Sequence, residues 1–384
     1  MADAARPAAK LKPPTRALPF WQQAAGALWQ GFSEPSMLAF RVFLVALAAT
    51  LVFCLWFFSI ATLAGPMGRY LPRSALDAEG FATHEALRTG HEMPRHPRLI
   101  ILGTSTVAQA IGSGVAMEKQ IDAGTGKDWQ VVMLVTPLQS PVEQFALIET
   151  ALASQTADSP PVIVALGFGV QRLRWTPEQT LRFVTHPRLG LSSDWADDEV
   201  RAIGGTPLSR VGFYICDNLP FVLLNGSEAL LRIALHQPAH RTVDGYAVGA
   251  PHHPPAIRAT LGQEIRDGMA RQSDYFAQIG RLAAHIAKVP NTKLVLLEEP
   301  ISPDLIAEQG LGPLREQLTA ALADPTNGTM PAYWPIIDAA ALSGKDFFDD
   351  LHVYLGLPQD RIQAVIAGHV IAADPSRGAE RNGN

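Results

Sequence analysis

Apolar and polar positions divide this chain into two regimes. Val42 to Ala64, VFLVALAATLVFCLWFFSIATLA, is a run of 23 uncharged residues. At about 1.5 Å of rise per residue, a helix of that length covers a bilayer core of roughly 30 Å. The pattern predicts a transmembrane helix over 37–65. Beyond it, apolar residues come in short blocks. Arg98–Gly103 (RLIILG), Trp129–Val135 (WQVVMLV), Pro161–Leu166 (PVIVAL), Lys293–Leu297 (KLVLL) and the weaker Trp334–Asp338 (WPIID) read as buried strands. Helical spacing lies between them, over Val107–Ile121, Pro141–Ser154, Ile257–Lys288 and Gln359–Ala372. Proline at the first turn suits the second of these. Strands alternating with helices predict an α/β fold, a three-layer domain around a mainly parallel sheet.

The same pattern sets the boundaries. Residues 1–36 form a leader, in which Leu18 to Met37 has the tryptophans and apolar spacing of an interfacial helix. Residues 66–97 read as a linker packed on the domain edge. The α/β domain covers 98–375, with an insertion at about 170–256 that breaks the alternation, and 376–384 form a polar, frayed tail. The insertion holds an apolar helix candidate, Val211–Leu235, and a loop rich in histidine and proline, and reads as a lid or docking surface. Arg6, Lys10, Lys12, Arg16 and Arg41 precede the apolar run, whereas Arg69 and Arg73 come closely after it. The positive-inside rule then predicts a single-pass inner (plasma) membrane protein with a cytoplasmic N-terminus and an extracytoplasmic (periplasmic) domain.

Charge and composition narrow the function. A net charge of -5 without a basic run in the globular part argues against nucleic acid as a partner. The chain has two cysteines, and Cys54 falls in the apolar run, so Cys216 is left without a partner and no internal disulfide is expected. His236, His240, His252 and His253 cluster, but without a nearby cysteine or an H-E-x-x-H spacing they read as a solvated loop; no metal and no cofactor is expected. There is no G-x-S-x-G elbow, which disfavours an α/β-hydrolase fold, and no glycine-rich phosphate loop.

Candidate chemistry is sought just past the strands, because open parallel sheets bind ligands beyond their carboxyl ends. Strand one ends in Gly103-Thr104-Ser105-Thr106. The glycine permits a tight turn and puts Ser105 at the start of a helix, with its hydroxyl exposed and its N–H free to face an oxyanion. An ordinary capping serine has the same pattern. Phe347-Phe348-Asp349-Asp350-Leu351-His352 stands before the last helix. The spacing of Asp349 and His352 lets a carboxylate hold the imidazole Nδ1–H and leaves Nε2 for a serine proton. A capping aspartate beside a surface histidine is the plain alternative.

Together these blocks resemble the SGNH (GDSL-type) hydrolase superfamily over about residues 98–375. The resemblance implies Ser105 as nucleophile, His352 as base and then acid, and Asp349 as the residue orienting the imidazole. Thr104 stands where the family usually has aspartate. A Gly-x-Asn block after the third strand would be expected; the residues here are Gly167-Phe168-Gly169, with glycine at the asparagine position. Val135 to Ser140 brings no glycine block after strand two. The candidate oxyanion donors are therefore Ser105, Gly167, Gly169, Gln139 and Ser140. With its apolar run, the chain looks like the membrane-anchored branch that includes the D-alanyl-lipoteichoic acid biosynthesis protein and the alginate O-acetylation proteins. That branch implies acyl transfer to an exported glycan or envelope polymer, at the lipid bilayer, beside a membrane-bound O-acyltransferase. Water as acceptor makes the same site an esterase or lipase. A catalytically silent assembly subunit is the reading from outside enzymology.

Overall fold

The computed structural model describes residues 37–62, 78–176, 179–181, 193–207, 253–323 and 330–374, with a few single positions between them. Residues 1–58 and 59–384 form two compact units.

In the first unit, helix α1 (Met37–Thr62) forms where the apolar run predicts one. Its described side chains run from Phe40 to Leu55, and Phe40, Val42, Phe43, Leu44, Val45, Leu47, Leu51, Val52, Phe53 and Leu55 are all exposed. Among the described residues no helix is long and apolar enough to cross a membrane. Cys54 is a free thiol there. The expected interfacial helix at 18–37 lies almost wholly outside the described residues, as does Cys216.

The second unit is α/β. Strands β1 (Arg98–Gly103), β2 (Gln130–Val135), β3 (Val162–Phe168), β4 (Thr292–Glu298) and β5 (Ala332–Trp334) form one sheet in the order β2-β1-β3-β4-β5. Every pairing is parallel. β1 lies between β2 and β3, with Ile100 opposite both Val132 and Val164. Leu99 to Leu102 are fully buried. That matches a strand covered on both faces, whose sequence is apolar without alternation.

The helices differ from the sequence expectation in instructive places. The segment expected to be one helix over 107–121 is two, α3 (Ser105–Ile111) and α4 (Val115–Thr125). Gly112 and Gly114 between them have φ of 65° and 73°, a left-handed conformation that ends a helix. The long pattern over 257–288 likewise divides into α7 (Pro255–Met269) and α8 (Gln272–Ile286). The expected linker holds α2 (Ala78–His91), which packs on β2 and on α5 (Pro141–Ala151) through buried Ala82 and Ala86. In the insertion, α6 (Asp194–Ala202) packs on α5; the Val211–Leu235 candidate lies outside the described residues, apart from Leu235. Helices α9 (Pro303–Glu308) and α10 (Gly312–Ala323) come after β4, and α11 (Leu357–Ala373) closes the described chain.

This strand order creates one topological switch point. From β1 the chain crosses to β2 on one side and then returns to β3 on the other. The crossovers leave in opposite directions, so a crevice opens beyond the carboxyl ends of β1 and β3. Ser105 comes directly after β1 there.

Candidate active site

Ser105 is the first residue of α3, and its side chain is partly exposed. The rest of the helix, Thr106 to Ile111, is buried, so only its first residue faces outward. Gly103 permits this close seating, because a Cβ there would lie 2.5 Å from Val107 Cγ2. As a first-turn residue, Ser105 has a backbone N–H with no acceptor one turn back.

The loop bearing His352 is held by its own backbone. Phe347 and Val353 form an isolated antiparallel bridge, and the Phe348 N–H donates to the His352 carbonyl at 3.0 Å. α11 then docks on α3: Gln359 Nε2 donates to the Gln109 carbonyl at 2.8 Å, and Gln363 Nε2 to the Ile111 carbonyl at 2.7 Å. The helix that starts at Ser105 and the helix that follows the His352 loop are thereby tied together.

Ser105 Oγ lies 2.9 Å from His352 Nε2, and His352 Nδ1 lies 2.8 Å from Asp349 Oδ2. Asp349 Oδ1 accepts the backbone N–H groups of Leu351 and His352, each at 2.7 Å. The Phe348 ring stacks on the imidazole, centroids 5.5 Å apart and planes 17° from parallel. The histidine side chain is 19% exposed and the aspartate 11%. Burial pushes the Asp349 carboxyl up, but the hydrogen bond and charge of His352 and the two backbone donors outweigh it, so the net shift is below the ordinary carboxylate value. An anionic Asp349 fixes the tautomer with the proton on Nδ1, which leaves Nε2 as the acceptor for the serine proton.

Beneath the serine lies a second, buried polar cluster that sequence reasoning missed. Glu299, one residue past β4, is 1% exposed. Its Oε1 accepts the Thr104 N–H at 3.3 Å and lies 3.4 Å from the Thr104 hydroxyl. Gln171 Nε2 donates to Glu299 Oε2 at 3.3 Å, and Arg172 Nε lies 3.5 Å from Oε1. Arg172 also donates to the Gln139 carbonyl at 2.7 Å. The segments just past β1, β2, β3 and β4 are thus stitched together beside Ser105. The available signal was a charged residue shortly after each of two apolar strands.

The remaining oxyanion candidates fare differently. Gln139 is turned inward, its Nε2 donating to the Leu134 carbonyl at 2.7 Å. Ser140 caps α5 in a reciprocal box with Glu143: its N–H donates to Oε2 at 2.6 Å and its hydroxyl accepts the Glu143 N–H at 3.3 Å. These bonds use the Ser140 N–H and one hydrogen of the Gln139 amide, and both residues are fully buried. Gly167 is an interior residue of β3, opposite Leu297. A Cβ there would come within 2.8 Å of Glu299 Oε1, so its smallness makes room for the cluster. Gly169 stands in the turn beyond β3, before a 3-10 turn at Val170–Arg174.

His253 also departs from expectation. It is no free loop residue: its Nδ1 lies 3.0 Å from Oδ2 of the fully buried Asp350. The other three histidines of that cluster lie outside the described residues. No group of metal-ligating side chains occurs among the described residues. The chain matches no protein-family model and no curated protein.

Proposed function

We propose that this chain is a serine-dependent acyl-transfer catalyst of the SGNH-like class, anchored to a membrane by the 37–65 segment. More specifically, it O-acylates an exported polysaccharide or envelope polymer, working with a membrane-bound O-acyltransferase. The observation that carries the reading is the continuous path Ser105 Oγ to His352 Nε2 and His352 Nδ1 to Asp349. His352 takes the Ser105 proton as Oγ attacks the acyl carbonyl, and the donor's leaving group receives that proton as the tetrahedral adduct collapses. An acyl-serine remains. An acceptor hydroxyl, deprotonated by His352, then attacks it, the ester to Ser105 breaks and the proton returns to Oγ.

The anchor rests on the uncharged run in the sequence and on the exposed apolar side chains between Phe40 and Leu55; the described helix taken alone is not long and apolar enough to cross a membrane. Lipid is the environment that rewards such a surface. Water as acceptor gives a membrane-tethered esterase, the alternative activity of the same site.

One observation favours a non-enzymatic reading. With Gly169 at the asparagine position and Gln139 and Ser140 fully buried, the oxyanion site has fewer donors than the family pattern supplies. A catalytically silent assembly subunit is consistent with that. Purified full-length protein in detergent, given p-nitrophenyl acetate, separates the readings. Nitrophenol release that disappears in Ser105→Ala supports the catalyst; release unchanged in that variant refutes it. Polymer acylation in cells that survives Ser105→Ala leaves only the assembly role.

A further inference from the structure

Asp349 and Asp350 are neighbours with opposite allegiances. Asp349 faces His352, while Asp350 is turned to the other side of the loop and is completely buried. Its Oδ2 lies 3.0 Å from His253 Nδ1, and its Oδ1 lies 3.1 Å from Arg258 Nε, a close ion contact whose angle falls short of a hydrogen bond. Its backbone carbonyl accepts the Ser302 N–H at 2.9 Å, at the start of α9. Arg258 is further paired with Glu308 of that helix. His253 lies just before α7 and Arg258 in its first turn, immediately after the insertion.

We infer that Asp350, gripped by His253 and Arg258, is the positioning residue of the catalytic loop. It sets the angle at which Asp349 presents His352 to Ser105, and so couples the segment after the insertion to the proton path. This rests on the function proposed above. A carboxylate removed from water is stable only with its charged and hydrogen-bonded partners in place. Losing a partner leaves Asp350 to seek water, which drags its neighbour Asp349 off line. The proton path has no slack, since reacting groups displaced by about 1 Å commonly lose about a hundredfold in rate.

The test is the rate at which a fluorophosphonate probe labels Ser105 in full-length protein, read beside the melting temperature and the probe concentration for half-maximal rate. His253 is the variant of choice, because its side chain is 34% exposed and its loss is compatible with folding. His253→Ala is expected to lower the limiting labelling rate about ten- to a hundredfold while leaving the half-maximal probe concentration unchanged. His253→Asn, whose amide nitrogen takes the place of Nδ1, is expected to restore the rate, and Asp350→Asn to match the alanine variant. Equal rates in all variants overturn the inference, and so does a loss that tracks melting temperature without rescue by asparagine. Wild-type protein that does not label at all removes the acyl-serine reading and this inference with it; labelled wild type with unaffected variants removes this inference alone.

Discussion

Ser105 Oγ and His352 Nε2 are separated by 247 residues of chain and by 2.9 Å of space. Two glutamines of α11 bond the far end of α3, which joins the helix that exposes Ser105 to the segment that follows His352.

Replacing either end of that contact removes the proposed nucleophile or its proposed base. Ser105→Ala and His352→Ala are each expected to lower ester turnover at least about a thousandfold. Both side chains are partly exposed and surrounded by backbone-held structure. The melting temperature should therefore change little, and a large drop in either variant would assign that residue to the framework.

Asp349→Asn keeps the shape and loses the charge that fixes the imidazole tautomer. Turnover should fall about 10⁴-fold. Linkage gives the accompanying acid behaviour. The folded-state carboxyl is held below its unfolded value, so its contribution to stability is fully present above the unfolded value and disappears as pH falls through the folded one. Acid unfolding monitored by circular dichroism should be less steep in the asparagine variant below about pH 4.

Glu299 tests the buried cluster. Glu299→Ala leaves Arg172, itself buried, without its carboxylate and strips the Thr104 N–H of its acceptor. Breaking a buried pair from one side costs about 3–5 kcal/mol, measurable by urea denaturation. Glu299→Gln retains an acceptor and should lose less. Equal stability in all three proteins would exclude the cluster as the base of the site.

Gly169→Asn puts a side-chain amide into the turn after β3, as the SGNH-like pattern proposed for this chain would have it. The backbone there is extended (φ -173°), which any residue adopts, but a Cβ would lie 2.7 Å from Gln171 Oε1, so the buried Gln171 amide, bonded to Glu299, has to shift by a few tenths of an ångström. The variant should fold. One added oxyanion donor is worth about a hundred- to a thousandfold in favourable geometry, so esterase turnover is expected to rise well above wild type. An unchanged rate, with the protein folded, would mean that the hole is already filled from elsewhere.

His369 predicts a milder pH effect. Its ring stacks on Trp334, with centroids 5.1 Å apart, and burial lowers its pKa despite the hydrogen bond to Pro335, which raises it. The unfolded chain takes up the proton more readily than the folded one, so stability is present above about pH 6.5 and declines as pH falls below it. His369→Phe should show a smaller drop in melting temperature between pH 7 and pH 5.

Much of this was legible along the chain. Leu99 to Leu102 announce a strand buried on both faces, because no polar residue interrupts them. Gly103-Thr104-Ser105 and Asp349-x-x-His352 announce themselves because their chemistry is local: a turn, a helix start, a three-residue spacing. The helix breaks at Gly112 and Gly114 were present in the letters too, but helical periodicity overrode them. What no local pattern carried was the partner of each buried charge. Glu299 and Arg172 are far apart in sequence, as are Asp350 and His253, so no local spacing announces either pairing.

The sequence by itself therefore determined the alternation of strands and helices and the side chains able to pass a proton, since both arise from residue type and near spacing. Only the tertiary structure decided that β1 lies beside β3, that Ser105 meets His352, and that Asp350 faces away from Asp349. These are contacts between distant segments, chosen by which packing buries the most apolar surface while leaving every charge answered.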